Sequence, residues 1–167
     1  MTSLSILLRA IYAKLQTSAY SPVVTVNESA DLINDLKTNR YRLELSLDVL
    51  DADGYTSQRD IEWEAKISVW GYIRKEGMNL KNINELNLNP TPFELDDLSN
   101  IGDFAIDTHR LIVSLMDDKQ NETFVCPGFS HFNGKNTILL DFELYNGITV
   151  FNVVMGVVFS QEDTSIT

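Results

Sequence analysis

Cysteine, histidine and tryptophan are scarce in this chain of 167 residues, which holds one, two and two of them. The lone Cys126 excludes an intramolecular disulfide and any zinc cage built from clustered cysteines. Cations are also few, 13 against 24 acids, and the formal charge of −11 opposes nonspecific attachment to nucleic-acid phosphates. No apolar run approaches the ~18 residues of a membrane-spanning helix. The opening MTSLSILLRAIYAKLQ lacks a basic leader and a small-residue cleavage site, so it reads as a mature start. GxxxxGK[ST], HExxH and GxSxG are all missing, as is a GxGxxG turn after an initial strand. Their absence removes the simplest nucleotide, zinc-protease and serine-hydrolase assignments.

The chain is rich in apolar residues, at 44% hydrophobic with eight glycines and four prolines. That supports one domain with a real core and no disulfide staples. Leu4, Leu7, Leu8, Ile11 and Leu15 recur at helical spacing, which predicts an amphipathic helix over residues 4–16. Ser21-Pro22 ends that pattern, and Val23, Val24 and Val26 suggest a short strand. A short helix is expected within 29–37, with Leu32, Ile33 and Leu36 turned inward.

The period then changes to two. Tyr41, Leu43, Leu45, Leu47 and Val49 alternate with Arg42, Glu44, Ser46 and Asp48. Ile61, Trp63, Ala65, Ile67 and Val69 alternate with Glu62, Glu64, Lys66 and Ser68. Two antiparallel strands with one buried and one polar face follow from this. Between them lies DADGYTSQRDIE, which places Asp51, Asp53, Tyr55, Ser57, Arg59 and Glu62 at the ligand positions of a calcium loop. An EF-hand joins helices and has Gly at its sixth position, where this chain has Thr56. A hairpin turn over 51–59 is therefore the expectation, with Gly54 free to take positive φ.

A long loop or arm is expected at about 74–97, where Pro90 and Pro92 oppose regular structure and Leu80, Ile83, Leu86 and Leu88 offer anchors. A second helix is expected over 98–116, its face marked by Leu98, Ile101, Phe104, Ala105, Thr108, Leu111, Ile112 and Leu115. Asp96 or Asp97 would cap it, and His109 would be solvated or satisfied. Residues 122–126 read as a short strand and PGFSHFNGKN as a loop. Ile138 to Tyr145 and Phe151 to Phe159 then form a hairpin across Asn146-Gly147, before a polar tail, QEDTSIT. The whole predicts one α+β domain over 1–167, a mainly antiparallel sheet with two principal helices packed on one face.

Chemistry finds little purchase. Cys126 and His131 stand five residues apart, yet the spacing makes no recognised cage or nucleophile pair, so a core or loop cysteine is expected. Asp48, Asp51, Asp53, Asp60 and the Glu62/Glu64 pair fit a wet outer strand face better than a shared catalytic cleft. Arg40, Arg42, Arg59, Lys66, Arg74, Lys75 and Lys81 form no dense basic patch, and Tyr41 and Trp63 read as sheet-packing residues. Neither catalysis nor a cofactor or metal is expected.

LLRAIYAKLQ, then YRLELSLDVL with IEWEAKISVWGYI, then LIVSLM, then ILLDFELYNGITVFNVVMGVVF, make an order of elements over residues 4–160. In that order the chain resembles the tail-terminator and tail-completion proteins of long-tailed bacteriophages. The resemblance implies a homo-oligomeric ring, often a hexamer, on the end of the tail tube. It would halt tube polymerisation, dock the head-side connector and let DNA pass without specific binding. Tail tube and connector proteins would be its partners, with no membrane, and the virion its location after assembly in the host cytoplasm. It also implies assembly contacts at Leu80, Ile83, Leu86, Leu88 and Phe93 and along the sheet edge, with Asp51, Asp53 and Asp60 facing lumen or tube. Another neck, tube or baseplate adaptor, or a non-viral binding module, remains open on the sequence.

Overall fold

The computed structural model describes residues 2–26, 32–55, 60–75, 94–145 and 147–162. In chain order they form α1 (Ser3–Leu15), β1 (Val23–Val26), α2 (Leu32–Thr38), β2 (Tyr41–Tyr55), β3 (Asp60–Arg74), α3 (Leu95–Gln120), β4 (Phe129–Tyr145) and β5 (Ile148–Glu162). The five strands make one sheet in the order β1-β2-β3-β5-β4. Every neighbouring pair is antiparallel except β1–β2. Parallel neighbours need a crossover, and α2 supplies it.

Two-residue periodicity builds the core. Ala65, Ile67, Val69 and Ile73 of β3 and Phe151, Val153, Met155, Val157 and Phe159 of β5 are all buried on one sheet face. Leu7, Ile11 and Leu15 of α1 close over them with Ile101, Phe104, Ala105, Ile112 and Leu115 of α3. Burying each such side chain contributes about 1.5–3 kcal/mol. The predicted α+β architecture, with both long helices on one face, is the one observed.

Helix ends follow local chemistry. Thr2 caps α1, its hydroxyl accepting from the Ser5 N–H at 3.1 Å. Lys14 in the last turn pairs with Asp118 of α3 at 2.7 Å. The cap of α3 is Glu94, not Asp96 or Asp97: the Glu94 N–H donates to the Asp97 carboxylate at 2.9 Å. The helix therefore starts earlier than the apolar face predicts, and Leu98 stays exposed. Asp96 and Asp97 instead sit in the first turn, where the helix dipole favours negative charge.

Gly71 of β3 lies opposite Phe151 of β5. A Cβ at Gly71 would stand 2.0 Å from the Phe151 ring, so only glycine leaves the ring room to lie across the strand. From there Phe151 meets Phe104 edge-on, with centroids 5.3 Å apart at 86°. Phe104 in turn contacts Tyr20 and Tyr41, each at 5.0 Å. Burial among these rings and beside Asp103 and Asp107 pushes the Tyr20 phenol above its usual pKa.

Several expectations change. β2 does not keep its alternation to Val49: the register skips Asp48, so Val49 pairs with Lys66 while Leu50 pairs with Ala65. The cause is chemical. The Asp48 carboxylate accepts from the hydroxyls of Ser46 and Ser68, and holding those bonds leaves one residue unpaired. The expected turn over 51–59 is strand as far as Tyr55 and again from Asp60, and residues 56–59 lie outside those described.

Residues 122–126 are not a strand. The N–H groups of Thr123 and Phe124 both turn back to the Asp118 carbonyl, and Glu122 takes φ 58° to close α3. The expected PGFSHFNGKN loop becomes strand from Phe129 onward. Gly128, at φ 85°, starts it by accepting from the Ser160 N–H at 2.8 Å. At the other end of that hairpin Tyr145 pairs with Ile148, and Gly147 takes φ 96° as a tight turn demands.

His109 is half-buried with its Nε2 shut off from any partner among the described residues, rather than satisfied. Arg42, expected on the wet face, is only 1% exposed because α2 folds over it. Its Nε donates to Asp35 at 2.9 Å, another nitrogen reaches Glu44 at 3.3 Å, and its guanidinium lies 5.2 Å over the Tyr72 ring. Leu36, Leu32 and Ile33 of α2 pack with Tyr72 and Ile148 beside it, as inward-facing residues should. β3 extends through Arg74 and β5 takes in Gln161 and Glu162, which trims the expected arm and tail. The arm positions Leu80, Ile83, Leu86, Leu88 and Phe93 lie outside the described residues.

Gly71→Ala should lower unfolding free energy by at least the ~1–3 kcal/mol typical of overpacking, because Phe151 must leave its place against Phe104. Urea titration of the variant beside wild type measures this, and unchanged stability would contradict the packing described.

Candidate functional site

Of the three acids expected to face a lumen or tube, Asp51 has a described side chain and is exposed. Asp53 and Asp60 contribute backbone to β2 and β3, and their side chains lie outside those described. The skip at Asp48 sets Asp51 opposite Glu64, on the face away from the long helices. The two line an open recess of about 360 Å³ with Val49, Lys66, Asn133 and Val154. Asn133 donates to Glu64 at 3.2 Å. Gly156 forms the floor, since a Cβ there would come within 2.7 Å of the Asn133 carbonyl.

Like charges directly opposed on a sheet repel, so Asp51 and Glu64 make an anionic spot that Lys66, one row along, offsets in part. Among the described residues, no cluster of three or more His, Cys, Asp or Glu side chains is arranged to hold a metal ion.

Cys126 and His131 have separate surroundings. Cys126 is buried and donates its S–H to the Ser3 carbonyl at 3.2 Å. His131 is exposed, its Nδ1 2.7 Å from the Ser130 hydroxyl. Lys119 holds the strand start between them, donating to the Phe129 and Ser130 carbonyls at 2.8 Å each. Burial pushes the Cys126 thiol up, partly offset by backbone N–H groups and the Lys119 charge. A raised pKa keeps the thiol protonated near neutrality, the reverse of what a nucleophile requires.

A second surface was not anticipated. β1 has four residues and pairs only with Arg42–Leu45. From Ser46 onward β2 has no strand on its outer side among the described residues. There Leu47, Val49 and Leu50 stand 36%, 42% and 44% exposed, and Val26 at the end of β1 is 58% exposed. Beside them, Ser5, Leu8, Arg9 and Tyr12 of α1 and Val26 and Leu45 line a groove of about 500 Å³.

Arg9 is exposed on its rim and has no ion-pair partner among the described residues. The signal was present in the sequence. Ser5 with Arg9 and Leu8 with Tyr12 are spaced i, i+4, so they share one flank of the helix beside its core stripe.

Among the described residues no helix is long and apolar enough to cross a membrane. Comparison with protein-family models and with curated proteins finds no match to this chain.

Alkylation of Cys126 by iodoacetamide near neutral pH should run at least tenfold slower in the folded chain than in urea, roughly the effect expected of a buried thiol. Raising the pH should speed the folded chain only above the usual thiol range. Folded and unfolded rates that coincide would contradict the buried, protonated thiol.

Proposed function

We propose that this chain is a structural assembly subunit, a tail terminator that forms a ring on the end of a phage tail tube. The observation that carries the reading is the outer half of β2. It combines a backbone edge that has no strand partner among the described residues with Leu47 and Leu50 left bare on the side of the apolar groove, and Val49 on the opposite face. A folded domain gains nothing from apolar residues along an open strand edge, which invites pairing with other chains. Closed into an interface, the same residues supply the apolar centre and backbone hydrogen bonds of a stable contact.

Charge supports the same reading. At −11 the chain repels phosphate, a useful property for a ring through which DNA must slide without sticking. The identity of the partners, tube below and head-side connector above, rests on the resemblance in the order of elements. The oligomer, most simply a hexamer matching a six-fold tube, rests on it too.

Adding the purified chain to polymerising cognate tail tube subunits tests the proposal. Electron micrographs should show tubes that stop growing, with a cap of extra density at one end only. Tubes that keep lengthening with both ends bare would overturn it.

A further inference from the structure

We infer that the groove at Arg9 and the recess at Asp51 and Glu64 are the two halves of one contact between copies of this chain. The inference rests on the assembly reading above and adds which surfaces meet. Charge complementarity carries it. In a chain with 24 acids and 13 cations, Lys14, Arg42 and Lys119 are held by internal partners, while Lys37, Lys66 and Arg110 are exposed without an ion pair among the described residues. Arg9 is exposed and unpaired, and it alone of the groove's lining residues carries a charge.

A cation in such a place is matched by carboxylates that are themselves set among apolar groups. The recess has that composition. Asp51 and Glu64 oppose each other across two strands, flanked by exposed Val49 and by Val154. A guanidinium can bridge two carboxylates through its planar fork, which relieves their mutual repulsion as it forms the contact. Lys66 limits the net charge of the recess without occupying the space between the two acids' strands, because it pairs one row away with Val49.

The two halves lie on different surfaces. The groove runs along α1 on the helix-covered side, and the recess opens on the opposite face of the sheet. One copy therefore presents its groove to the recess of the next, and the next can do the same. Such a heterologous contact propagates head to tail and closes into a ring when its rotation permits.

The test is charge reversal read by light scattering on the full chain over a range of concentrations. Wild type should form a discrete oligomer. Arg9→Glu and Asp51→Arg should each weaken association about tenfold or more, as lost interfacial charge pairs do. The double exchange, R9E with D51R, should recover most of it. Arg9 is exposed and unpaired, so R9E should melt like wild type, which separates lost contact from lost fold.

A wild type that stays monomeric, an R9E chain that assembles normally, or a double exchange no better than either single variant would each overturn the contact. Those results leave the terminator reading to the tube-capping assay. Conversely, an oligomer that obeys the charge exchange but never caps a tube keeps the contact and removes the terminator.

Discussion

The Phe151 ring lies across the backbone of Gly71, in space that a side chain on β3 would fill. Much of the helical layer is positioned by it. Because β3 offers no side chain there, Phe151 can turn edge-on into Phe104 and bring α3 onto the sheet. Phe104 then gathers Tyr41 from β2 and Tyr20 from the segment after α1 into one aromatic group. Each such pair adds about 0.5–1.5 kcal/mol beyond area burial. The second link is ionic and local, Lys14 to Asp118, and it ties α1 to the far end of α3. With both helices fixed over β3 and β5, the half of β2 beyond Leu45 falls outside their cover. The bare leucines are a geometric consequence of where the helices are held.

The other face of the sheet is governed by a charge. Arg42 is almost fully enclosed, and its two acids come from different places, Asp35 from α2 and Glu44 from its own strand. A buried cation stripped of a partner costs about 3–5 kcal/mol, so the pair to Asp35 constrains where α2 can sit. The apolar residues of α2 are few, Leu36 being the buried one, and could not specify that position alone. The face expected to be uniformly wet is therefore divided. One end is sealed by α2 over Arg42 and Tyr72, and the other is open at Val49, Asp51 and Glu64.

The strands and both long helices were legible because their signals are periodic and repeated. Phe151 to Phe159 could hardly be anything but one face of a strand, and Asn146-Gly147 could hardly be other than a turn. What escaped depends on single residues. One extra residue at Asp48 inverts the facing of the positions from Val49 to Ala52, until a second skip at Asp53, and no alternation count can see an inserted residue held by Ser46 and Ser68. The misread strand at 122–126 is apolar enough to qualify, yet its N–H groups are already committed to closing α3. Arg42 escaped for another reason. Nothing in the local pattern distinguishes a surface arginine from one that a distant helix will cover. The candidate site was read less well than the fold. Asp51 stands out in the sequence as an acid on a hairpin, whereas Arg9 lies off the apolar stripe that marks the helix. A residue beside the core stripe is where a helix meets its next neighbour, so that flank carried information.

Charge and assembly bear on one another here. Copies that each carry −11 repel as they approach, and the approach is least favourable where acid faces acid. A two-fold pairing of the open sheet faces would bring Asp51 and Glu64 of one copy against the same residues of the other. A two-fold pairing of the grooves would set Arg9 against Arg9. The head-to-tail arrangement proposed above would avoid both, since each junction would bring a cation to acids and bury apolar surface with it. Charge alone does not set the symmetry, since a two-fold pair could match groove to recess twice; it is the placement of the two surfaces on opposite faces of the sheet that favours a head-to-tail contact able to close a ring.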